Sequence, residues 1–94
     1  MYEFSAKVWQ HTTPGGWYFV TLPQDMSKEI KLYFGKQEEG WGRMKVTALI
    51  DNYKWSSAIW FDSKSETYVL PVKAEVRKKF NIDANSEINI KLWV

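Results

Sequence analysis

The sequence contains no cysteine, so neither a disulfide nor a thiolate metal centre can staple the fold. It has one histidine, His11, which leaves any metal set dependent on carboxylates. The candidate carboxylate groups, Glu38-Glu39 and Asp62 with Glu66, lack the dense oxygen-ligand spacing of a calcium loop. No glycine-rich phosphate loop of either common form occurs, and no cofactor motif is evident. No apolar run approaches the roughly 18–20 residues of a membrane-spanning helix. Met1 to Lys7 alternate polar and apolar residues and lack the apolar block of a signal peptide, so a cytoplasmic protein is the default expectation. Neither sign of charge dominates: 13 Lys and Arg face 11 Asp and Glu, for a net charge of +2. That is well short of the positive field expected of a strong non-specific nucleic-acid binder.

What the sequence does have is rings. Six Trp, five Tyr and five Phe make up 17% of a 94-residue chain. Each large ring buries roughly 150–250 Å², so a few of them can build a core where no disulfide can. The length suits one domain over residues 1–94. Hydrophobic content of 45% and charged content of 26% are those of an ordinary globular chain.

Tyr2 to Gln10 places Tyr2, Phe4, Ala6 and Val8 on one phase, the period of a strand with one buried face. Thr12 to Gly16 carries turn chemistry, and Trp17 to Leu22 returns as a hairpin partner rich in aromatic and β-branched residues. After Pro23, the four-residue spacing of Met26, Ile30 and Phe34 predicts a helix, with Asp25 as its cap and Gly35 as a left-handed stop. Lys36 to Gly42 reads as a polar loop carrying Trp41. Strands are predicted over Arg43–Ile50, Trp55–Phe61 and Glu66–Leu70, then a short helix over Val72–Phe80 and a last strand through Ile88, Ile90 and Leu92. The fold class is therefore mainly β: a small six-stranded antiparallel β-barrel with two short helices, closure removing exposed strand edges. An open sheet with both helices on one face is the structural alternative.

The order of segments resembles a known family. Phe4-x-Ala6, Gly16-Trp17-Tyr18-Phe19-Val20 with Leu22-Pro23, Arg43-Met44-Lys45-Val46, Ile50-Asp51-Asn52, Trp55-Ser56-Ser57 and Leu70-Pro71-Val72-Lys73 with Val76-Arg77-Lys78 follow one another. This resembles the family catalogued as domain of unknown function nineteen-oh-five, small bacterial β-barrel proteins with no assigned activity. The resemblance spans nearly the whole chain and implies a barrel. The family's usual Asn-Gly turn and Gly-Asp pair are replaced here by Asp51-Asn52 and Asn85-Ser86. A shorter likeness, Leu70 to Leu92, is similar to the swapped-hairpin module of AbrB-type DNA-binding regulators, which act as intertwined dimers.

Three function classes follow. The leading one is a non-enzymatic binding domain for a small anionic or planar ligand, or for a protein partner, working as a monomer or homodimer. Its expected site is Arg43, Lys45, Trp55, Ser57, Lys73 and Arg77, with Trp41 as a loop ligand platform. Arg43 and Lys45 share a strand phase, and Lys73 and Arg77 are four apart on one helix face. Arginine suits bidentate recognition of oxyanions, and aromatic faces add stacking. The plainer reading of the same residues is a solvated polar strand face. The second class is an AbrB-like regulator on DNA, and the third a hydrolase-type enzyme using His11 or a carboxylate. Neither Ser56 nor Ser57 sits in a nucleophile-elbow context.

Overall fold

The computed structural model describes residues 1–12 and 15–94, with every side chain among them except that of Trp41. Thr13 and Pro14, in the middle of the expected Thr12–Gly16 turn, lie outside the described residues. The elements are β1 (Tyr2–Lys7), β2 (Trp9–Gln10), β3 (Tyr18–Thr21), α1 (Gln24–Phe34), β4 (Arg43–Ile50), β5 (Tyr53–Asp62), β6 (Thr67–Pro71), α2 (Ala74–Phe80) and β7 (Glu87–Trp93). The seven strands form one antiparallel sheet in the order β1-β7-β4-β5-β6-β3-β2.

The ends of that order, β1 and β2, are neighbours in sequence, so the sheet curls into a nearly closed barrel. Six strands were expected because Tyr2–Gln10 reads as one. It divides at Val8, which is fully buried. Val8 N–H donates to Ser86 O at 2.8 Å, and Asn85 N–H donates to Val8 O at 2.6 Å. Before this point the strand pairs with β7, and after it with β3. One bent segment thus supplies both edges with a partner, which is how a short sheet avoids an aggregation-prone rim.

The barrel interior follows from strand period. Met44, Val46, Ala48 and Ile50 of β4, Ile88, Ile90 and Leu92 of β7, and Val20, Leu70 and Ile59 of neighbouring strands are all buried. Ile50 pairs with Tyr53 across a two-residue turn, where Asp51 takes a left-handed backbone (φ 52°). Aspartate tolerates that conformation, so the turn closes without the family's glycine. The alternation of Trp17–Leu22 puts Phe19 on a phase that suits a core. Phe19 pairs with Trp9 and Pro71 on the outer face instead, its ring 5.0 Å from that of Trp9.

α1 covers one opening of the barrel. Ile30 is fully buried, and Met26 and Phe34 pack against the core at half burial. The side between them is completed by Ser27, fully buried, whose Oγ accepts from Tyr68 N–H at 3.0 Å. The expected ends of this helix are corrected. Pro23, not Asp25, occupies the N-cap, and Gly35 keeps a right-handed backbone (φ −57°), leading into a 3-10 turn, Gly35–Gln37. A second such turn, Gly40–Gly42, enters β4. There Gly42 has φ +69°, and a Cβ would sit 3.2 Å from Cβ of Phe61, so backbone conformation and space both call for glycine.

The buried Tyr68 hydroxyl donates to the Glu38 carboxylate, which also accepts from Lys31 Nζ at 2.9 and 3.1 Å. Lys31 in turn lies 4.2 Å above the Phe61 ring. Helix, loop and sheet meet in this one cluster. Burial by itself would raise the Glu38 pKa, but the bonds from Tyr68 and Lys31 hold it below the ordinary glutamate value. Burial, and then the Glu38 carboxylate, push the Tyr68 phenol far above the usual tyrosine range.

Two outcomes test this packing. Because its folded-state pKa is depressed, Glu38 contributes stability that is full above the unfolded value of about 4.3 and is lost as pH falls through the folded value. Glu38→Gln is therefore expected to lower unfolding free energy by about 1–2 kcal/mol at neutral pH, with the difference shrinking toward pH 3 in urea titrations. A difference that grows as pH falls would contradict the cluster. The second outcome concerns Ser57. Its Oγ is buried on the core side of β5 and, like Trp55 Nε1, has no hydrogen-bond partner among the described residues. Ser57→Ala removes an unsatisfied buried hydroxyl and is expected to leave the melting temperature unchanged or raise it. A clear fall would mean that the hydroxyl is bonded in solution.

Candidate functional site

β5 spans ten residues and β6 only five. The β5–β6 register covers Trp60–Val69, Phe61–Tyr68 and Asp62–Thr67, so no strand among the described residues pairs with this edge of β5 from Tyr53 to Ala58. The chain leaves the sheet at Pro71, where Val72 N–H donates to Tyr18 O at 2.8 Å, and enters α2. Proline gives the ladder no N–H, and its restricted backbone favours the exit. The result is a breach in the barrel wall, flanked by β5 on one side and by the Pro71–Arg77 segment on the other.

α2 is held beside this breach by several contacts. Val76 is buried in the core. The Tyr53 hydroxyl donates to Glu75, and the Tyr53 ring meets the Phe80 edge with centroids 6.1 Å apart. Glu75 in the first turn and Lys78 and Lys79 in the last complement the helix dipole. Asn81 ends the helix in the left-handed conformation. Lys73, just ahead of the helix, donates from Nζ to Ser56 O at 3.3 Å and so bridges the breach. Arg77, one turn on, donates from Nε to Val72 O at 3.1 Å, and its guanidinium carbon stands 3.9 Å over the Tyr18 ring.

A cavity of about 840 Å³ opens here. Its floor is the outer face of the β4–β5 ladder, where Arg43 opposes Trp60, Lys45 opposes Ala58 and Thr47 opposes Ser56. Its sides are the turn through Gly15, Gly16 and Trp17, the segment from Pro71 to Arg77, and Trp93 of β7. Ala58 shows how closed the recess is: it faces outward yet is only 4% exposed. The volume is that of a small-molecule site. Four of the lining residues, Arg43, Lys45, Lys73 and Arg77, are cations, and none is an acid. Glu39, outside the lining, holds Arg43 Nη1 at 2.6 Å. Lys45, Lys73 and Arg77 have no carboxylate partner among the described residues. Aromatic surface completes the site: Trp17, 61% exposed, lies 6.4 Å from Trp60 by ring centroids and 6.4 Å from Phe19.

Arg43, Lys45, Lys73 and Arg77 are thus brought to one cavity. The expectation that Trp55 and Ser57 share their surface is corrected by the register. Trp55 pairs with Ala48 and Ser57 with Val46, which puts both side chains on the interior face. Trp55 is buried, with its ring 5.9 Å from that of Tyr53. Ser57 contributes to the cavity lining, but its hydroxyl oxygen is turned away into the protein. Trp41 stands in the Gly40–Gly42 turn, and its side chain lies outside the described residues. The sequence reading missed Trp17, Tyr18, Trp60 and Trp93 as parts of the site. Trp93 shares the polar phase of its strand, and Trp60 opposes Arg43 once the Asp51-Asn52 turn is counted, so both left a signal.

Among the described residues no cluster of three His, Asp or Glu is arranged to hold a metal ion. No helix among them is long and apolar enough to cross a membrane. β6 and β7, the strands of the segment with the swapped-hairpin likeness, belong to one continuous sheet: β6 pairs with β3 and β5, and β7 with β1 and β4. No curated protein matches the chain. The family model described as "Domain of unknown function (DUF1905)" matches residues 4–92 of the 94, and the chain belongs to that family.

Proposed function

We propose that the protein is a binding domain for small organic anions with a planar part, taken into the cavity beside β5. The observation that carries this reading is the lining itself: four cations, no acidic residue and several indole or phenol rings around about 840 Å³. Cations without carboxylate partners keep their positive potential in a recess where low-dielectric walls focus it. Indole faces beside them offer stacking surface to a flat ligand. The same proposal places the protein in the bacterial cytoplasm, in keeping with the family resemblance and a cysteine-free sequence.

Because Trp17, Trp60 and Trp93 line the cavity, occupancy is expected to change tryptophan emission. Titration with a panel of aromatic acids should give saturable changes that weaken as salt rises. Lys45→Ala combined with Lys73→Ala should reduce affinity about tenfold while leaving the folded state intact, since both lysines are exposed residues. No saturable change at millimolar concentrations of any acid, or equal binding of acids and their neutral amides, would reject the reading.

A further inference from the structure

Arg77 differs from the other cations of the cavity in how it is held. Its Nε–H is spent on Val72 O at 3.1 Å, and one face of its guanidinium is covered by the Tyr18 ring at 3.9 Å. These two contacts fix the plane of the guanidinium and its direction. The two Nη atoms at the far end of the fork have no carboxylate partner among the described residues, and the residue lines the cavity at half burial. With no acid against that end, the two Nη donors stay available to a ligand. Arg43 in the same cavity has such an acid, Glu39.

We infer that Arg77 is the specificity-determining residue of the site, gripping two oxygens of a carboxylate or phosphate end-on through its two Nη atoms while the ligand's ring lies toward Trp17 and Trp60. The inference rests on the proposed binding function and adds to it the identity of the recognised group. The end-on mode follows from Nε already being engaged, which removes the side-on geometry and leaves two parallel N–H bonds to two oxygens of one group. Such a fork selects carboxylate or phosphate over halide, sulfonamide or neutral amide, because only the former present paired oxygens that carry charge. Lys73, tethered to Ser56 O on the other side of the breach, adds charge without direction. The ligand class is therefore an aromatic carboxylate or aromatic phosphate small enough for about 840 Å³.

The test is isothermal calorimetry with 1-naphthoate, 1-naphthyl phosphate and neutral 1-naphthamide on the wild-type chain, on Arg77→Lys and on Lys45→Ala. Wild type should bind at least one of the two anions at least about tenfold more tightly than the amide, the tighter of them identifying carboxylate or phosphate as the natural group. Arg77→Lys keeps the charge but loses the fork, and should lose most of that discrimination. Lys45→Ala should weaken both anions by a similar, smaller factor. Discrimination retained in Arg77→Lys but lost in Lys45→Ala would overturn the inference while leaving the binding function standing. Should Arg77→Lys fail to fold, Tyr18→Leu, which removes the face that orients the guanidinium, replaces it with the same expectation. Absence of binding by all three compounds would overturn inference and function together.

Discussion

The site depends on a mismatch of strand length: ten residues in β5 against five in β6. Had β6 continued past Pro71, the edge of β5 from Tyr53 to Ala58 would be zipped into the wall, and the barrel would close there with no recess. Proline stops the ladder at that point and the chain turns into a short helix. The unpaired edge is then satisfied in part by a side chain, Lys73 reaching Ser56 O. A cation is thereby drawn to the breach by the demand of a backbone carbonyl. Arg77 is drawn to the same place by the carbonyl of Val72 and the ring of Tyr18. Much of the positive charge of the cavity is a consequence of how the broken wall meets its hydrogen-bonding requirement.

Everything else holds that breach still. The bend at Val8 lets one segment pair with β7 before it and with β3 after it. At the α1 side, Tyr68, Glu38 and Lys31 tie strand, loop and helix, while at the α2 side Tyr53 and Glu75 fix the helix that carries Arg77. Each cluster joins an aromatic hydroxyl to a carboxylate. In a chain without cysteine, such pairs supply directional cross-links where burial alone would leave elements free to slide.

Much of this is written in the sequence, and the exceptions have physical causes. β4 could be read to the residue, because strict alternation over Arg43–Ile50 matches its burial. The convergence of Arg43 and Lys45 with Lys73 and Arg77 follows from one strand phase and one helical spacing. The face of Trp55 and Ser57 was also legible: a turn of an even number of residues pairs odd positions with even ones, which places both opposite the core residues Ala48 and Val46. The left-handed stop expected at Gly35 fails because the chain tightens into a 3-10 turn instead of ending. Ser27 gave no signal, since a buried serine within an amphipathic helix is defined only by the backbone N–H it faces, here that of Tyr68 forty-one residues away. The breach itself is a three-dimensional quantity. Strand lengths hint at it, but only the pairing of β6 with β3 and β5 reveals which edge is left open.

The unpaired edge of β5 and the α2 segment together make the proposed ligand site. It is tested most directly by amide chemical-shift mapping of the labelled protein titrated with an aromatic carboxylate. Saturable shifts are expected at Ser56–Ala58, Val72–Arg77 and the indole N–H groups of Trp17, Trp60 and Trp93 alone, with Lys31, Glu38 and Tyr68 unmoved. Shifts that are absent, or that gather on α1 and the Tyr68 cluster instead, would contradict it.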